Sequence, residues 1–303
     1  MFGEICQDIK VFVVHLAGII PVAQLETDYE STTPDALTLL APGYTAIQNA
    51  VMACAMAGCK TIWIVANNDL APAIRKTVGE WVHDPVYYKR DFTKFYSNVR
   101  KEVPIYYVPI HPKDLDRRNS YGWSILHGIY SSWFVSYKIS RWIRPQKYFI
   151  AFPMSVYDLY SIRELRPQIQ DANRNLFFSY KNATIKNNIP ASFTMGGDDY
   201  LQCRRHVNKI TTREFLPPSP GQLPSEKRPL NERWSARFFE LSMVFEKLNV
   251  KNSMTHELSW FHDIREWDQY CDYISSDHKL TPPYKEIYKA RFYDLTPKGE
   301  EDR

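Results

Sequence analysis

Short apolar, β-branched runs alternate along this chain with longer stretches whose apolar residues recur at helical spacing, and few folds accommodate such a pattern. KVFVVH, Lys10 to His15, reads as a buried strand that stops at Gly18. Ala46 to Gly58 carries Ile47, Val51, Cys54 and Ala55 at helical spacing, with Gly58 as its stop. KTIWIVAN, Lys60 to Asn67, is a second buried strand, and Ala71 to Val82 reads as a helix with Pro72 in its first turn. Strand, helix and strand in that order make a right-handed crossover with parallel pairing. The alternation continues through a strand at Val103 to Ile110, a helix at Gly122 to Ile143 and a strand at Lys147 to Phe152. In that helix Leu126, Ile129, Trp133 and Tyr137 fall on one stripe. The expected architecture is α/β: a mixed, mainly parallel sheet with helices on both faces.

Beyond residue 176 the pattern loosens. LFFSY is a candidate strand and Asp198 to Val207 a short helix. Phe215 to Leu230 is proline-rich and polar, an extended arm over the surface. A helix capped by Asn231 is expected to run to Leu248, with Trp234, Phe238, Leu241 and Phe245 on one face. ELSWFHDI follows as a last strand, and Trp267 to Ile274 as a last helix. The organisation expected is one α/β domain over residues 1–275 and a charged tail over 276–303.

Composition excludes several classes. No apolar run reaches the roughly 18 residues that a membrane span needs, and Glu4 and Asp8 stand where a secretory leader would be basic. The five cysteines include no Cys-x-x-Cys pair, so reduced thiols in a soluble cytoplasmic protein are expected. A formal charge of +4 is too small to argue for nucleic acid. No Walker loop, Gly-x-Ser-x-Gly or zinc spacing occurs. The 20 tyrosines read first as packing, since Tyr buries a large ring while keeping a polar handle.

Several segments, taken in order, carry a likeness. HLAG is followed by a loop and then by TPDALTLLAPGYTAIQNAVMACAMAGCKTIWIVANND; NSYGWSILHGI, KYFIAFPMSVYD and LSWFHDIREWDQY come later. Together they resemble the sugar-nucleotide nucleotidyltransferases, the GT-A-like pyrophosphorylases with a Rossmann-like sheet, and look like the nucleotidyltransferase-like proteins of large tailed phages. The resemblance spans roughly Val11 to Tyr273. It implies transfer of a nucleotide from a nucleoside triphosphate to a phosphorylated sugar or similar acceptor, with release of pyrophosphate and help from Mg²⁺. It assigns Leu16, Ala17 and Gly18 to a turn facing the nucleotide and Gly122 and Trp123 to the base. It assigns Asp263 and Asp158 to the metal.

The departures fall on charge. In the family a glycine-rich loop with an arginine, and a lysine after the first proline, neutralise the triphosphate; here the loop reads IIPVAQ and the lysine position holds Asp35. A carboxylate there repels a triphosphate by several kcal/mol at ~4 Å in a partly desolvated site. Glu26, Asp28 and Glu30 make the whole loop acidic. The replacement cations expected are Lys113, Arg117 and Arg118, in a polar loop at a strand's carboxyl end and ahead of a helix N-terminus. The other reading of that loop is a solvated turn whose Asp and Arg residues pair with each other. Asp114-Leu115-Asp116 also has the Asp-x-Asp spacing of a nucleotide-sugar glycosyltransferase. His15 and Asp35 invite a proton-handling dyad across the loop, and His262 stands beside Asp263, although a lone strand-end histidine is more often structural. The remaining reading is a binding or structural protein that keeps the sheet and has lost the reaction.

Overall fold

A computed structural model describes residues 14–29, 31, 33–88, 102–115, 118, 120–139, 143–211, 220–221, 239–251, 253–278 and 280. In chain order, β1 (Leu16–Pro21) is followed by a 3-10 turn at Asp35–Leu37, the short β2 (Leu39–Ala41) and β3 (Tyr44–Thr45), and α1 (Ala46–Ala57). Next come β4 (Thr61–Val65), α2 (Ala71–Val78), β5 (Trp81–His83), α3 (Pro85–Tyr88) and β6 (Glu102–Val108). α4 (Pro112–Leu115), α5 (Tyr121–Ile139), β7 (Lys147–Ile150), β8 (Ser155–Val156), α6 (Leu159–Glu164) and α7 (Arg166–Ile169) form the middle. The last group is β9 (Leu176–Ser179), β10 (Phe193–Gly196), α8 (Gly197–Ile210), α9 (Leu241–Val244), β11 (Met254–Glu257), β12 (His262–Asp263) and α10 (Trp267–Ser275).

Eight strands form one sheet in the order β11-β9-β10-β7-β1-β4-β6-β5. β1 pairs in parallel with β4 and β7, β4 with β6, and β9 with β11, whereas β10 and the edge strand β5 run against their neighbours. The mixed, mainly parallel sheet is therefore the one the alternation implied. Period-two alternation in β1 feeds two cores: Leu16 and Ile20 pack on the face that carries α1, and Ala17 and Ile19 on the face that carries α5. Helices cover both faces.

Several boundaries differ from the sequence reading, each for a local reason. The last strand, read as ELSWFHDI, is only His262–Asp263, because β11 ends at Glu257 and residues 258–261 are not strand. The first strand is Leu16–Pro21 and not Lys10 to His15, of which residues 10–13 lie outside the described set. Gly18, read as a stop, is interior: a methyl group there would sit 2.7 Å from Cys54 Sγ, so only glycine lets α1 lie this close. The helix read as Ala71 to Val82 ends at Val78, because Gly79 leaves the helix with φ 90° and Trp81–His83 becomes the edge strand β5. Of the helix read as Asn231 to Leu248, the four residues Leu241–Val244 are helical, and residues 231–238 lie outside the described set. Most of the proline-rich arm and of the tail lies outside it too. α1 kept its predicted span: Thr45 and Gln48 form a capping box and Gly58 ends it in the left-handed region at φ 84°.

Candidate functional site

Past Pro21 the chain climbs over the carboxyl end of the parallel strands. Val22 and Ala23 both donate to Val65 O, at 2.8 Å each, and Gln24 turns left-handed with φ 61°. The loop that follows is bound to the β12–α10 segment. Asp28 N donates to Arg265 O at 3.0 Å, and Asp28 Oδ1 accepts from Trp267 N at 2.6 Å. Asp28 thus supplies negative charge at the N-terminus of α10. Tyr29 donates to Ile264 O and packs against Trp267 and Tyr270. Part of the loop's acidity is spent on this docking.

α5 begins beside the same loop. Ser120 Oγ accepts from Trp123 N at 3.1 Å as the helix cap, and Ser124 Oγ donates to Ala23 O at 2.9 Å. Between loop and helix lies a cleft of about 160 Å³ lined by Gln24, Leu25, Glu26, Ser120, Tyr121, Phe239 and Arg265. The Tyr121 hydroxyl is buried with no hydrogen-bond partner, and burial pushes its phenol far above the ordinary tyrosine range, so it stays a donor.

A second cavity, of about 410 Å³, is lined by Tyr180, Lys181, Asn188, Ile189, Pro190, Phe261, His262, Asp263, Glu266, Gln269 and Asp272. The two spaces meet at one ion pair. Arg265 Nε donates to Asp263 Oδ1 at 2.8 Å and its NH2 to Oδ2 at 2.5 Å, a two-pronged fork in which Asp263 lines the larger cavity and Arg265 the smaller. Burial alone would lower the Arg265 pKa, but the Asp263 hydrogen bond and charge outweigh it and hold the guanidinium above its usual range. Three of the four left-handed non-glycine residues among those described, Gln24, Lys181 and Asn188, line these spaces. Such conformations cost about 1–2 kcal/mol for Gln or Lys, and residues held in them concentrate at ligand sites.

The residues singled out from sequence are scattered across this arrangement. Leu16, Ala17 and Gly18 form no turn: all three lie in β1, Ala17 and Gly18 are paired on both sides, and Leu16 and Ala17 pack in the two cores. Gly122 lies against Val244, where a methyl group would come within 2.8 Å of Cγ2. Trp123 is buried under the Arg118 guanidinium, 4.3 Å from its ring centroid. Arg118 pairs with Asp114 at 3.1 Å, the mutual pairing weighed above as the alternative for this loop, and it lines neither cavity. Arg117 and Asp116 lie outside the described residues, and Lys113 is placed in α4 by its backbone. His15 stands at the opposite end of β1 from the loop that holds Asp35, about 20 Å away along six residues of strand, so the two form no dyad. Burial and then Lys60 lower the His15 pKa, whereas burial raises that of Asp35 against a hydrogen bond from Thr27. His262 contacts His278 at 3.1 Å. Asn67 O and Asp69 Oδ1 cap α2.

The Mg²⁺ expected from the resemblance does not fit the residues present. Both Asp263 oxygens are taken by Arg265, and Asp158 Oδ1 caps α6 by accepting from Tyr160 N at 2.9 Å. Among the described residues no group of three or more His, Cys, Asp or Glu is placed to hold a metal ion. Reading motifs missed Arg265, Tyr121 and Gln24. The available signal was Asp-Ile-Arg at the end of a strand, a spacing that lets the arginine fold back onto the aspartate.

No family model and no curated protein matches the chain. Among solved structures, the chain is similar to a putative glucose-1-phosphate thymidylyltransferase from Bacillus anthracis, at 10% identity and TM-score 0.47, over 88% of this chain and 98% of that one. It is similar to a nucleoside-diphosphate-sugar pyrophosphorylase from Vibrio cholerae RC9, at 12% identity and TM-score 0.46, over 86% and 100%. It is also similar to a UDP-glucose pyrophosphorylase complexed with UDP-glucose, at 9% identity and TM-score 0.48, over 86% and 97%. At these identities and scores the likeness carries no statement about what this chain binds. Among the described residues no helix is long and apolar enough to cross a membrane.

Proposed function

We propose that the smaller cleft is a nucleotide site, that the larger cavity takes a phosphorylated small-molecule acceptor, and that the chain is a divergent nucleotidyltransferase. The observation that carries this reading is the Asp263–Arg265 fork, which presents one member to each space. The cleft lies at the carboxyl end of parallel strands and over the first turn of α5, the end of a helix that favours anions. A phosphate can replace the Asp263 carboxylate on the same two guanidinium donors, and the protonated Tyr121 hydroxyl supplies a further donor.

The acceptor phosphate is already ionised, so its oxygen attacks the α-phosphorus without a general base. The bond to the bridging oxygen breaks, and pyrophosphate leaves with the electron pair. Positioning and charge neutralisation carry the rate.

A second reading, binding without turnover, is favoured by Asp35 at the expected lysine position and by the occupation of both Asp263 oxygens. A pyrophosphate-release assay separates the two, with each nucleoside triphosphate and a panel of sugar 1-phosphates. Release that disappears in Arg265→Ala supports transfer; nucleotide binding without release supports the second reading. Neither binding nor release overturns both.

A further inference from the structure

α5 is turned inside out over its last two and a half turns. Its sheet-facing side there is built from small residues, Gly128, Ser132 and Ser136, all buried, and a methyl group at Gly128 would sit 2.6 Å from Val65 Cγ2. The large side chains point away: Tyr130, Trp133, Phe134 and Tyr137 are 36%, 39%, 42% and 48% exposed, and Ile139 beyond them 67%. At 100° per residue the four aromatic positions share an arc of about 100°, the usual width of a helix's buried stripe. Here that stripe faces outward. Patches of this kind on a folded chain mark contact surfaces.

We infer that this face of α5 rests on a lipid surface bearing anionic headgroups. Charge complementarity favours that occupant. No Asp or Glu occurs between Asp116 and Asp158, while Lys138 lies over Phe134, Arg144 over Tyr137 and Arg204 over Tyr130. A second copy would set these cations against their own counterparts. A peptide helix docks in a groove with walls, and no groove is lined by these rings in either cavity described above. Stacked bases need open ring faces, yet Trp133 lies on Tyr137 and Tyr130 on Phe134, each pair also touched by a cation. Aromatic rings with polar edges, an aliphatic residue and flanking Lys and Arg suit the boundary between headgroups and acyl chains.

Flotation of the full chain with vesicles tests this. Binding is expected to phosphatidylcholine vesicles containing phosphatidylserine, weak binding to phosphatidylcholine alone, and release at high salt. The triple variant Trp133→Ser/Phe134→Ser/Tyr137→Ser is expected to abolish flotation while the chain still unfolds in one cooperative transition, because the three rings are 39–48% exposed and stand outside the core. Lys138→Glu is expected to lower partitioning about tenfold. Absence of flotation from a monomeric chain overturns the inference. So does a wild-type dimer that the triple variant splits, which would make a second copy the occupant.

Discussion

Two arginine–aspartate forks in this molecule look alike and do different work. Arg166 grips Asp84 through both terminal nitrogens, 3.0 and 2.5 Å, across 82 residues of chain, with the Asp84 side chain wholly buried. It joins α7 to the segment after β5 and reaches Met56 O at the end of α1. Arg265 grips Asp263 two residues away, half-exposed, on the border of two cavities. The first fork closes the fold. The second closes nothing distant, so its arginine can exchange a carboxylate for a phosphate without unfolding anything. On the proposed reading, span and burial, not hydrogen-bond geometry, set the structural pair apart from the one at the cavities.

That contrast can be broken at several positions. The largest effect is expected at Asp84→Ala, which removes the wholly buried carboxylate that the Arg166 guanidinium grips and costs about 3–5 kcal/mol. Urea unfolding measures it, and nucleotide affinity of the folded fraction should not move. Gly18→Ala follows, at about 1–3 kcal/mol, because the added methyl meets Cys54 Sγ and Cβ at 2.7 and 2.9 Å. If Gly18 instead served the nucleotide, this substitution would lower affinity more than stability.

Lys147 is a buried cation with backbone partners in place of a carboxylate: Nζ donates to Asp171 O and Arg174 O at 2.7 and 2.5 Å. Burial lowers its pKa to about 8 against the Asp171 charge. Between pH 8 and about 10 the unfolded chain therefore holds a proton that the folded chain has released. The Lys147 contribution to stability should rise across that window by about 2 kcal/mol, opposite in sign to that of the buried Cys54, Cys203 and tyrosines. It is therefore read as the difference between wild type and Lys147→Met, which should move by that amount in favour of the wild type. The smallest effect belongs to Asp158→Ala, about 1 kcal/mol for a lost helix cap with no change in nucleotide affinity. A large affinity loss there would restore Asp158 to the site.

The sheet was legible because its signals are local. TIWIV and YFIAF are almost wholly apolar, as parallel strands buried on both faces are, and VPIYYVPI is apolar although one face of β6 is partly exposed. β1 was misplaced because Ala17 and Gly18 look like a turn in sequence, and only a helix crossing close by explains small residues at mid-strand. α5 was found, and of the stripe read in it Leu126 and Ile129 are buried while Trp133 and Tyr137 are exposed, since periodicity reports a stripe and not what covers it.

The site was less legible. Reading cations from a charged loop chose Arg118, which Asp114 and Trp123 occupy. Arg265 became visible only once β12 and the loop after β1 were brought together by Asp28 and Tyr29, 239 and 235 residues from their partners.

Calorimetric titration of each nucleoside triphosphate into the wild-type chain and into Arg265→Ala and Arg118→Ala bears most directly on that assignment. Saturable binding is expected for at least one nucleotide, weakened tenfold to hundredfold by Arg265→Ala, about 1.5–3 kcal/mol for a charge-assisted contact, and unaltered by Arg118→Ala. Equal affinity in the wild type and Arg265→Ala, or no heat with any nucleotide, would contradict it.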